Sequence, residues 1–145
     1  MKNRFLFAIL LCALAITPRV HAQHDETPLG EKMDDLSDAY KKLGKQINDA
    51  SKNEDSLKLV AIIHNSAEAA LKFEPAKKAD LPAADQAKFV ENFHASMKKF
   101  IGEVDKLAAL LKAGDNPAAA KQLDVLKQLQ REGHKEFQKK KQPGK

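Results

Sequence analysis

Met33 and His134 are the two side chains of this sequence that together could hold a metal ion, provided that folding brings them into one layer. A thioether sulfur is soft, and an imidazole nitrogen is a versatile ligand. The pair suits iron carried in a flat macrocycle, approached from opposite faces. Each residue also has an ordinary reading. Methionine fills gaps in helical cores, and histidine near a helix end is favoured by the helix dipole. Gly133, just before His134, removes a side chain from inside a helix, where glycine costs about 1 kcal/mol relative to alanine. It is either an early helix stop or a place where something uses the space.

Other constellations offer less. His24 falls in a polar arm, while His64 and His94 fall in mid-helix. Glu91 and His94 form one Glu-x-x-His pair, but a di-iron carboxylate site needs a second, which the sequence lacks. No Ser-His-Asp set or glycine-rich phosphate loop is present, and the many carboxylates read as solvated helix faces. The residues therefore point away from an enzyme. Lys139 to Lys141 read as part of a basic, frayed tail over residues 139–145.

Four elements must position these side chains. Met33, Leu36, Tyr40, Leu43 and Ile47 recur at spacings of three and four, one apolar seam on a first helix. A second carries Leu57, Val60, Ile63, Ala67, Ala70 and Leu71, ending by Pro75. A third carries Phe89, Phe93, Met97, Phe100, Val104, Leu107 and Leu111, with Gly114 as its stop. Asn116-Pro117 supplies an N-cap and first-turn proline for a fourth, whose seam is Leu123, Leu126, Gln130, Gly133 and Phe137. The expected fold is all-α, an antiparallel up-down-up-down four-helix bundle over residues 30–138, preceded by a flexible arm over 23–29. In that topology the start of the first helix meets the end of the fourth. Met33 and His134 then share one end with Phe73, Phe89, Phe93 and Phe137, whereas Phe100 sits higher.

Residues 1–22 read as an export signal. Lys2 and Arg4 precede the apolar run 5–16, Pro18 breaks it, and Val20-His21-Ala22 offers a cleavage site. That run is too short for the roughly 20 residues of a membrane anchor. Cleavage after Ala22 removes Lys2, Arg4 and Arg19 and no acid, so the net charge falls from +5 to +2. Scattered lysines at that charge do not argue for nucleic acid. Cys12, the sole cysteine, also leaves, which excludes disulfides and thiolate ligands from the mature chain.

With these residues in view, the chain resembles the cytochrome b562 and cytochrome c′ group of exported haem proteins over most of residues 30–138; cytochrome b562 is itself a familiar up-down-up-down bundle. The resemblance rests on Met33-Asp-Asp-Leu36-Ser-Asp-Ala-Tyr40 and on Gln130-Arg-Glu-Gly133-His134-Lys-Glu-Phe137. It implies Met33 and His134 as axial iron ligands, with Phe89, Phe93, Gly133 and Phe137 around the cofactor. Cytochrome c′ carries Cys-x-x-Cys-His where this chain has Gln130 and Gly133 before His134, so any haem here is noncovalent haem b. Gln138 stands where an arginine is common near the haem edge. The resemblance implies a periplasmic electron carrier whose partners are redox proteins, with no nucleic acid and no membrane anchor after cleavage. Two other functions fit the same residues: a haem-free exported bundle that binds other proteins or serves in stress, and a five-coordinate gas-binding haem protein.

Overall fold

The computed structural model describes residues 27–139. Within them four α-helices follow one another: α1 (Pro28–Gln46), α2 (Asn53–Ala70), α3 (Ala83–Lys112) and α4 (Asn116–Phe137). Short 3-10 turns at Ala50–Lys52 and Ala76–Asp80 lie between them. No strand occurs among the described residues. The all-α expectation therefore holds, while the export signal lies outside this range.

The helix ends follow from local chemistry. Thr27 Oγ1 accepts the Gly30 N–H at 3.0 Å and Pro28 takes the first helical position, so α1 takes in the last two residues of the expected arm. At the other end of the chain, α3 stops because Gly114 adopts φ +74°, a left-handed conformation that favours glycine. Its N–H donates to Leu111 O, and that of Asp115 donates to Leu110 O, the paired bonds of a Schellman stop.

The N-cap expected at Asn116 belongs instead to Asp115, whose carboxylate accepts the Ala118 N–H at 3.0 Å. Asn116 is released for a different task. Buried in the first turn of α4, its amide donates to Ile47 O at 2.6 Å and to Asn53 Oδ1 at 2.8 Å, and accepts from Asn53 Nδ2 at 3.0 Å. One side chain thus joins the end of α1, the start of α2 and the start of α4, and satisfies polar groups that would otherwise be buried unpaired.

Consecutive helices pack side by side, α1 on α2, α2 on α3 and α3 on α4. Gln46 at the end of α1 bonds Ser56 near the start of α2 at 3.0 Å, and Gln122 on α4 bonds the Glu103 carboxylate on α3 at 2.7 Å. The first and last helices approach more loosely. Asn116 ties them at one end, and midway the Tyr40 hydroxyl donates to Leu123 O at 2.9 Å. Burial, the largest cause, and the Asp124 carboxylate raise the Tyr40 pKa above its ordinary value, against a smaller opposing pull from Arg131, so the phenol stays a donor.

The core is built from the seams. Leu43, Ile63, Val104, Leu107 and Leu126 are fully buried, each gaining about 1.5–3 kcal/mol from burial. They occupy the half of the bundle tied by Asn116 and Tyr40. Toward the other end, beyond the Asn116 and Tyr40 ties, the seam widens into a cavity.

Candidate functional site

The cavity, about 180 Å³ in volume, lies between the first turns of α1, the middle of α3 and the last turns of α4. Leu29, Leu36, Phe93, Phe100 and Leu129 give it apolar walls, and Pro75 with Ala76 closes one edge. Met33 and Leu36 reach it together because they lie three residues apart on one face of α1. Gln130, Gly133, His134 and Phe137 repeat the same spacing along α4.

Met33 and His134 therefore line one cavity despite lying near opposite ends of the described chain. Met33 is half-buried and packs against the core, whereas His134 is exposed in the last turns of α4, so the cavity opens to solvent beside it. Gly133 also lines the wall. A Cβ built there meets no atom within 4 Å, and the residue is in ordinary helical conformation, so neither a turn nor a close helix contact accounts for the glycine. It widens the cavity.

The aromatic residues divide into two layers. Phe93 and Phe137 line the cavity and meet edge to face, ring centroids 5.4 Å apart at 73°. Phe89 stands behind them, 5.4 Å from Phe137 and outside the lining, so it supports the wall rather than forming it. Such pairs add about 0.5–1.5 kcal/mol beyond burial and hold the rings in fixed orientations. Phe100 lines the cavity although its position higher on α3 had placed it elsewhere.

Two ties anchor the end of α4. Lys77 donates to Glu136 O, and Lys139 pairs with Asp80 at 2.9 Å. Lys139 lines the cavity too, as does Asp34 on the α1 side, so its rim carries one cation and one carboxylate. Exposed as it is, the Lys139–Asp80 pair positions the chain more than it stabilises it.

The remaining described histidines lie elsewhere. His64 Nε2 sits 3.3 Å from Asp105 Oδ1, an α2–α3 contact. His94 leans on Phe93 at 5.7 Å, with Nε2 buried and no hydrogen-bond partner among the described residues. Neither lines the cavity, and His24 falls outside the described range. No cluster of three His, Cys, Asp or Glu able to hold a metal occurs among the described residues.

Met97 is the cavity residue whose role the sequence did not disclose. It lies one turn beyond Phe93 on α3 and brings a second thioether into the lining. Its seam position was legible, but a seam methionine ordinarily reads as a gap-filler.

The donor set and the walls fit a haem. A thioether and an imidazole come from helices on two sides of the space, aromatic and aliphatic side chains surround it, and a glycine leaves open volume beside the imidazole. The family model for cytochrome b562 matches residues 28–138, the whole of the bundle. No curated protein and no solved structure matches the chain.

Proposed function

Since this chain belongs to the cytochrome b562 family, whose members are haem-binding four-helix bundles and generally electron carriers without enzymatic activity, we propose that it is a periplasmic b-type cytochrome with Met33 and His134 as axial ligands. The observation that carries the reading is the convergence of these two residues on one apolar cavity. When bound, haem supplies a one-electron iron couple. Met33 from α1 and His134 from α4 would hold it, and ligation by two protein side chains would favour electron transfer over chemistry on a substrate.

The other residues set its environment. Phe93, Phe100, Leu36 and Leu129 exclude water, and Phe89 braces Phe137. Soft sulfur on one side favours the ferrous state and so a raised potential. No cysteine lies among the described residues, so the group is retained by ligation and packing alone. The antiparallel order of the helices belongs to this reading and is supported by the ties between α1 and α2, α3 and α4, and α1 and α4. Export through residues 1–22 belongs to it as well, and its partners are redox proteins.

The test is the visible spectrum of the protein expressed with its leader, oxidised and reduced, followed by extraction with acidified organic solvent. A low-spin spectrum sharpening on reduction, with all colour extractable, is expected. Failure to take up stoichiometric haem removes the cytochrome reading. Colour that stays with the denatured chain contradicts noncovalent attachment.

A further inference from the structure

The sequence contains three methionines, Met1, Met33 and Met97, and both of those after Met1 line the same cavity. They enter from different helices, α1 and α3, and the imidazole of His134 enters from a third, α4. A cytochrome with one thioether and one imidazole ligand uses only two of these donors. Gap-filling does not account for the coincidence, since the fully buried core away from the cavity is filled with leucine, isoleucine, valine and alanine and holds no methionine.

We propose that the haem-free protein binds one Cu(I) ion in this cavity through Met33, Met97 and His134. Two thioethers and an imidazole form a soft, uncharged donor set, which selects Cu(I) among biological cations. Zn(II) is served better by thiolates, imidazoles and carboxylates, and no cluster of three such groups occurs among the described residues. Cu(II) prefers tetragonal nitrogen and oxygen ligation, which apolar walls do not supply. A single positive charge also suits the surroundings, because a monovalent ion loses less solvation energy than a divalent one on entering a mostly apolar space. Methionine has three rotatable bonds and His134 is exposed, so the three side chains have the rotamer freedom to adjust to an ion.

Met97 separates copper from haem. The two ligands of the cytochrome reading are shared with copper, so the two groups compete, while Met97 serves copper alone. The experiment is an anaerobic titration of the haem-free protein with Cu(I) against the chromogenic chelator bicinchoninate, with haem uptake measured on the same preparations. Wild type, read by loss of the colour of the Cu(I)–bicinchoninate complex, should withdraw one equivalent of Cu(I). One equivalent of haem should displace it, and Cu(II) should bind far more weakly. Met97→Leu, which keeps the volume of the side chain, should weaken Cu(I) binding at least tenfold and keep one-to-one haem uptake, with a much smaller change in haem affinity than in Cu(I) affinity. His134→Ala should lose both. The proposal is overturned if wild type withdraws no copper, if Met97→Leu binds it as wild type does, or if haem and Cu(I) bind together. Loss of haem uptake in wild type with copper binding intact would overturn the cytochrome reading and leave this one standing.

Discussion

Replacing Gly133 by alanine should move two properties in opposite directions. Gly133 is interior to α4 with ordinary helical dihedrals, so alanine there gains about 0.5–1 kcal/mol through the smaller backbone entropy loss. Nothing offsets the gain, because the new Cβ meets no atom within 4 Å. For a domain of this size that is a rise of roughly 2–6 °C in the melting temperature of the haem-free protein, followed by circular dichroism at 222 nm. Haem binding should weaken, since the added methyl occupies the wall of the cavity beside His134. Overpacking a fitted site costs about 1–3 kcal/mol, or roughly a fivefold to hundredfold loss of affinity in a haem titration. A haem-free protein destabilised by the substitution would show that the space is not open. An unchanged or improved haem affinity would show that the cofactor does not use it.

Met33→Ala should leave a five-coordinate or water-bound haem with a lower potential and weakened affinity, whereas His134→Ala should abolish most binding, with His64→Ala and His94→Ala as controls outside the cavity; coordination lost in a control and retained in both ligand variants would refute the assignment. Asn116→Ala removes the donor to Ile47 O and the paired bonds with Asn53, leaving buried groups unsatisfied, and should cost about 2–4 kcal/mol in denaturant unfolding. Asn53→Ala keeps the Ile47 bond but loses, with the paired bonds, a longer donation to Leu111 O at 3.4 Å, and should cost less; equal costs would mean that the Ile47 bond contributes no more than the one to Leu111.

Periodicity made the helices legible. The seam from Met33 to Ile47 is buried at Leu36, Leu43 and Ile47, and Gly114 stops α3 as its left-handed conformation requires. What local reasoning could not rank was Asp115 against Asn116, since both side chains cap helices well and the choice is made by Ile47 and Asn53, far away in sequence. Met33, Gly133, His134, Phe93 and Phe137 were nominated from residue type and from the shared end of a bundle, and all five line one cavity. Phe89 and Phe100 traded places relative to expectation because the cavity follows the α1–α4 gap along α3, reaching Phe100 and leaving Phe89 behind Phe137. Met97 was hidden for a related reason. Its seam position fits a packed core and a binding wall equally well, and only the width of the gap decides between them.

Because the loose seam joins the first helix to the last, the cavity is the part of the molecule with the longest wait in biosynthesis. A chain emerging from a ribosome or a translocation pore can form α1 with α2, and then α3, without any cavity wall from α4. Its low-order contacts come early, and the cavity that Met33 and His134 line is completed only once α4 has been made. On the proposed ligation, a nascent chain offers an iron macrocycle one ligand at a time. On the same reading, a chain cut short before His134 would keep the core residues Leu43, Ile63, Leu107 and Leu126 while lacking the proposed imidazole ligand.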